Sequence, residues 1–261
     1  MNITAEKIQQ NWIDLENIIK THIDEPRRSQ LLEFYSKYSE RIMMMPAAHK
    51  KEYHNSFPGG YVDHVLRVIE CALKINDIWV EMGVDSTTYT KEELVFSALN
   101  HDLGKMGDEE NESYITQTDN WRREKLGEEY MFNTKVPFAS VPDRGLFLLQ
   151  SHGIQYSFNE MITIQTHDGL YDEGNKKYLL NFMPEQKPRT SLPFIVHQAD
   201  LMAARIEFEK EWLPKFKSNG GNLKKNFKLE TNKYNQLSPN IKQKALGSVK
   251  SENLMNLLNN I

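Results

Sequence analysis

A single cysteine, Cys71, stands among the 261 residues, so no disulfide can form within the chain and a cysteine-built zinc site is excluded. Cys71 lies in the apolar run Val68-Ile69-Glu70-Cys71-Ala72-Leu73, the surroundings of a buried and inert thiol. No apolar stretch approaches the roughly 20 residues that span a bilayer. The opening residues Met1-Asn2-Ile3-Thr4-Ala5-Glu6-Lys7 lack the basic-then-apolar order of a secretory signal, so a cytoplasmic location without a membrane partner is expected. A basic surplus is missing too. Lys plus Arg number 32 against 36 Asp plus Glu, a formal net charge of -4, whereas a dedicated nucleic-acid binder usually carries the opposite balance. No internal repeat is present. What remains is an ordinary globular composition, with enough apolar residues for a sizeable core.

The apolar periodicity is helical nearly throughout. Ile8, Trp12, Leu15 and Ile19 recur every three to four residues and predict a helix over 5–20, which Pro26 ends. Leu31, Leu32, Phe34, Tyr35 and Tyr38 predict a second helix from about Ser29 toward Met45, ended by Pro46. The string His54-Asn55-Ser56-Phe57-Pro58-Gly59-Gly60 is a turn. Val65, Val68, Ile69, Ala72, Leu73 and Ile75 then place one apolar side on a helix over 61–78. Thr90 is the expected N-cap of the next helix, with Glu92 and Glu93 complementing its positive end. That helix carries Leu94, Val95, Ala98 and Leu99 and reaches His101-Asp102, where Gly104 is expected to allow a sharp turn. Tyr114-Ile115-Thr116 and Tyr130-Met131-Phe132 pair as a short hairpin. Helical spacing returns at 146–150 and 159–167, residues 170–190 form a loop, and a long helix runs over 191–213.

The expected class is all-α with a small β-hairpin insertion. It divides into an N-terminal helical extension (1–45), a main domain (46–213), and a basic linker with C-terminal helices packing on the same domain (214–261). Six lysines (Lys215, Lys217, Lys224, Lys225, Lys228, Lys233) face one acid, Glu230, in the linker, and short helices are expected near 238–246 and 250–259.

Eight histidines are present, and four of them stand beside, or three residues from, an aspartate in apolar helical context: His64 after Asp63, His101 before Asp102, His167 before Asp168, and His197 three before Asp200. An ionised carboxylate buried alone costs several kcal/mol. A divalent cation removes that cost, and imidazole with carboxylate suits Mn, Fe, Co or Zn. His197 and Asp200, three apart, share one face of the last helix. Lys105 is placed to reach back over the site toward an anionic group. His22 and His49 read as ordinary surface residues.

The order His64, then His101-Asp102, then Asp200, on three successive helical segments, resembles the HD superfamily of metal-dependent phosphohydrolases. Three strings carry the resemblance: His54 through His64, Ala98-Leu99-Asn100-His101-Asp102-Leu103-Gly104-Lys105, and His197-Gln198-Ala199-Asp200. It covers about residues 46–208. It implies an HD-domain helical bundle with His64, His101, Asp102 and Asp200 as ligands of a divalent metal, and His167 and His152 as ligands of a second. One or two ions are expected, with Mn, Fe, Co, Ni, Zn and Mg all open. His54, His197 and Arg205 would face substrate. Asp102 would act in catalysis with Lys105, which would also bind the phosphate.

The implied activity is hydrolysis of a phosphate ester by metal-activated water, on a small nucleotide. Three alternatives stand beside it. One is a 3′-to-5′ exonuclease or phosphodiesterase on short nucleic acid; the first-histidine string is similar to that of some bacterial exoribonucleases, but their N-terminal all-β domain has no counterpart in the helical first 45 residues. The second is a di-iron oxygenase on the same scaffold, for which His152 and His167 would complete six protein ligands. The third is a non-catalytic nucleotide sensor, against which the complete ligand set counts.

Overall fold

The computed structural model describes residues 3–51, 53–211 and 213–214. The basic segment and the two C-terminal helices expected beyond it lie outside the described residues. Met1–Leu213 forms a first compact unit. Among the described residues the first unit is all-α with one two-stranded sheet.

Helix α1 (Ala5–His22) opens on Thr4, whose hydroxyl accepts from the Lys7 amide. The second expected helix is divided in two, α2 (Arg27–Lys37) and α3 (Ser39–Met44). The break falls at Tyr38, which leaves the helical region (φ −109°, ψ 18°) while its ring packs against Phe34 and His152. That contact reaches across more than a hundred residues, so local periodicity could not reveal it. All three helices share the main core: Leu15, Ile19, Leu31, Phe34, Tyr35 and Ile42 are buried together with the apolar face of α4.

α4 (Gly60–Glu81) is the central element and packs on α1, α3, α5 and the last helix, α10 (Leu192–Glu211). α5 (Lys91–Asn100) begins with the expected Thr90 cap as a full capping box, the Thr90 hydroxyl accepting from the Glu93 amide at 3.0 Å and the Glu93 carboxylate accepting from the Thr90 amide at 2.8 Å. From Leu94 to Asn100 every residue of α5 is buried. A helix enclosed on all sides carries its C-terminal residues into the interior, and the next two are His101 and Asp102.

Strands β1 (Tyr114–Thr116) and β2 (Tyr130–Phe132) pair antiparallel as expected, Ile115 opposite Met131. Between them lies a helix that periodicity missed, α6 (Asn120–Leu126). It buries no residue, so it shows no apolar stripe. Its readable signals are the ends: Asp119 caps the Arg122 amide, and Gly127 takes a left-handed conformation. α7 (Val141–Ser151) packs on the 3₁₀ turn at Leu103–Met106, and α8 (Phe158–Thr166) packs on α5 and α10. A four-residue helix, α9 (Lys176–Leu179), interrupts the expected loop.

Gly104 works differently from expectation. Its role is close approach rather than an unusual turn: a methyl group there would stand 2.0 Å from the Val141 carbonyl oxygen. The missing side chain lets α7 close directly over the His101-Asp102 corner. No helix among the described residues is long and apolar enough to cross a membrane.

Candidate metal centre

Five segments deliver imidazoles and carboxylates to one place. His64 comes from the second turn of α4, His101 and Asp102 from the end of α5, His167 and Asp168 from the end of α8, Asp200 from α10, and His54 from the loop before α4. Four overlapping groups of these side chains could each hold a metal ion: His54 with His64 and Asp102; His64 with His101 and Asp200; His101 with Asp102 and His167; and His167 with Asp168 and Asp200. Asp102 belongs to two groups and Asp200 to two.

The histidines are oriented before any ligand is considered. His101 Nδ1 donates to the Ala98 carbonyl at 2.8 Å, and His167 Nδ1 donates to the Ile164 carbonyl at 2.8 Å. A carbonyl oxygen can only accept, so Nδ1 of each ring carries a proton and Nε2 is turned inward. The same device thus ends α5 and α8, a histidine bonded three residues back and followed by an aspartate. His64 is held otherwise, its Nδ1 lying 3.1 Å from the Glu207 carboxylate.

On the inward side, His64 Nε2 lies 3.1 Å from Asp200 Oδ1 and 3.9 Å from Asp102 Oδ2. His101 Nε2 is 3.4 Å from Asp102 Oδ2, and His167 Nε2 is 3.5 Å from Asp102 Oδ1. The His54 and His64 rings lie 4.4 Å apart. Nε2 of His54 and of His101 is buried without a hydrogen bond, while Nε2 of His64 has the Asp200 carboxylate beside it. A buried polar atom left unsatisfied costs about 1–3 kcal/mol, and two in one place, beside converging carboxylates, mark a ligand set built for another partner. The residues therefore fit a divalent cation, for which imidazole and carboxylate are suitable ligands; the donor types do not select which metal.

Charge is balanced tightly here. Burial alone would raise the Asp102 carboxyl, but Lys105 Nζ at 2.5 Å, with His101 and His167 beside it, holds it well below the usual carboxylate range. Burial likewise opposes ionisation of Asp200, and His64 and His101 reverse that. Burial pulls His64 down, yet Glu207 and Asp200 outweigh it and carry the ring up to about 10. His167 rises against burial to about 9 through Asp102 and Asp168. His54 behaves oppositely: burial, helped by His64 and Lys105, takes it down to about 3, which keeps it neutral and able to ligate.

His64, His101, Asp102, His167 and Asp200, all expected as ligands, are brought together. His54, expected to face substrate, stands among the candidate ligands. His197 stays at the rim: its Nδ1 donates to the His167 carbonyl at 2.8 Å, and its ring lies where a side chain on Gly169 would be, a methyl group there falling 2.0 Å from His197 Cε1. Gly169 (φ +58°) is thus required both by its backbone conformation and by this packing.

Two expected residues are not brought there. His152 is in none of the candidate ligand groups; it ends α7, with Nδ1 donating to the Leu148 carbonyl at 3.0 Å and its ring packed edge-on against Phe34 and Tyr38. An aromatic pocket, rather than a carboxylate, surrounds it. Arg205 is exposed and pairs with Glu209 at 3.0 Å, one turn along the outer face of α10. Its spacing of five from Asp200 turns it off the inward face. His49, expected at the surface, is half-buried against Tyr114 and Phe132 of the hairpin.

Sequence reasoning missed Asp168 and the support behind His64. Asp168 could have been found from the repeated His-Asp order. Glu207 stands seven residues, two helical turns, after Asp200, on the same face. Arg67 donates to Glu207 at 2.6 Å and to Asp63 at 3.1 Å, and Asp63 accepts from Asn55 at 3.1 Å and from Asn11 at 3.3 Å. The His64 carboxylate partner is thereby tied to α1 and to the turn before α4. A cleft of about 450 Å³ opens over the cluster, lined by His54, Asp168, His197 and Asp200 with Tyr171 and Phe208.

The chain matches no family model, no curated protein and no solved structure.

Proposed function

We propose that this chain is a metal-dependent phosphohydrolase of the HD type, acting on the phosphate ester of a small nucleotide. One observation carries the proposal: Nε2 atoms of three histidines from three helices converge on Asp102 and Asp200, with their Nδ1 atoms already committed elsewhere. His64, His101, Asp102 and Asp200 would hold one ion, and His167 with Asp168, or His54, would serve a second. Such an ion would supply a bound water with its pKa lowered from ~15.7 toward ~7 and polarisation of a phosphoryl oxygen.

The chain's own residues supply the rest. Lys105, half-buried and bonded to Asp102, stabilises negative charge that builds on the phosphoryl oxygens during attack. Asp102 and Asp200 are held ionised, the state in which a carboxylate ligates a metal. His197 lines the cleft that opens over the cluster. The net charge of -4 favours a small nucleotide over a long nucleic acid. The oxygenase alternative called on both His152 and His167, and His152 lies in an aromatic pocket instead.

Elemental analysis of the purified protein, followed by phosphate and nucleoside release across nucleotides, cyclic nucleotides and short oligonucleotides with Mn, Mg, Co and Ni, tests the proposal. Bound metal with turnover of one substrate class is expected. Bound metal with oxygen consumption and no phosphate released would move the assignment to an oxygenase, and no metal at any supply would end it.

A further inference from the structure

Three clefts touch the site or its Lys105, and their charges differ. The cleft over the cluster carries Asp168 and Asp200, and a second, of about 480 Å³, runs beside Lys105 with Glu40 and Glu112 as well as Arg41 in its wall. The third, of about 440 Å³ between β2 and α7, is lined by Lys105 and Arg144 and by no carboxylate among the described residues.

Arg144 is built in rather than free. Its guanidinium donates to the carbonyls of Gly104 (3.2 Å), Pro137 (2.8 Å) and Ala139 (3.4 Å) and to the Ser113 hydroxyl (3.4 Å). All four acceptors are neutral, and no carboxylate among the described residues lies within ion-pair distance. Burial pulls this guanidinium below its usual value, with Asp108 and Tyr114 opposing. Held by neutral acceptors through both terminal nitrogens, the guanidinium adds a fixed positive charge to the cleft wall, which favours an anion there. Its anchor, Gly104, sits between Asp102 and Lys105, so the charge stands next to the metal-site corner. Phe132 and Phe138 line the same cleft and are exposed, Phe138 almost entirely. Exposed aromatic faces beside an anion site suit a flat base.

We infer that the cleft between β2 and α7 is the nucleotide seat, with Arg144 and Lys105 taking the phosphate and Phe132 and Phe138 the base. The choice of a nucleotide rests on the reading above, but seating is a binding event separate from turnover.

Calorimetric titration of the full chain, its metal content measured, with thymidine monophosphate and separately with inorganic phosphate tests the inference. Loss of a charge-assisted contact in Arg144→Gln should weaken both about tenfold without changing metal content. Should that variant fold poorly, Thr134→Glu places a negative charge on the exposed wall of the same cleft with no packing lost. It should weaken both ligands, while Phe138→Ala should weaken the nucleotide only. Wild-type affinity in Arg144→Gln and Thr134→Glu together, or no binding to the native chain, overturns the inference. Arg144-dependent binding with no phosphate released would uphold the seat and sink the hydrolase assignment; turnover unaffected by either variant would do the reverse.

Discussion

His64 depends on Glu207 as much as on its own helix. Both ring nitrogens face carboxylates, Nδ1 toward Glu207 and Nε2 toward Asp200, and Arg67 fixes the Glu207 carboxylate in turn. Partners behind a metal-bound histidine set its tautomer and basicity, and losing one typically weakens metal binding about 10–100-fold. Glu207→Gln keeps the shape and removes the charge, so it should lower metal affinity within that range while the fold is retained. Competition with a chelating dye reads this directly, and an unchanged affinity would reduce Glu207 to packing. Lys105 belongs to the same scale. It neutralises Asp102, so Lys105→Ala should destabilise the metal-free protein by about 3–5 kcal/mol, the cost of breaking a buried pair, and the metal-loaded protein by less. Turnover should slow with metal retained; denaturant melts with and without metal, beside steady-state kinetics, separate the two effects, and unaltered kcat would remove Lys105 from the chemistry.

At the scale of elements, the site is an assembly of helix ends. α5 and α8 each finish on a histidine bonded back to the preceding turn, and α4 and α10 contribute from within their length. What keeps the α5 end in place is the close approach of α7 at Gly104. Gly104→Ala forces the Val141 carbonyl to move, and overpacking of this kind costs about 1–3 kcal/mol. The thermal midpoint should drop and metal affinity with it, because the displaced turn carries Asp102 and Lys105. A midpoint equal to that of the native chain would show that α7 yields without cost.

For the molecule as a whole, the buried charges couple metal binding to stability. Asp102 is enclosed, Asp200 is partly so, and both are held ionised by Lys105 and the histidines. A ligand bound only by the folded state stabilises it by about 2.7 kcal/mol at a hundred times its dissociation constant. Stripping metal with a chelator should therefore lower the melting temperature, and restoring the correct ion should raise it in proportion to the logarithm of its concentration. A melting temperature indifferent to both would count against a metal centre.

The helices, their caps and the candidate ligands were legible in the chain because those features are local. Apolar spacing marks α1, α4, α5 and α10; Thr90 and Glu93 announce a start; His-Asp pairs at apolar helix ends announce an uncommon burial of charge. The short pair Tyr114–Thr116 and Tyr130–Phe132 was legible for the same reason. Tertiary structure alone decided the rest. Whether a histidine ligates or packs depends on what its ring meets, so His54 joins the candidate ligands beside His64 while His152 packs on Phe34 and Tyr38. Nothing in the sequence singles out Glu207 or Arg144, since charge on a helix is usually solvated. Only the packing of α10 against α4, and of α7 against the turn after α5, enclosed them and gave each charge a specific neighbour.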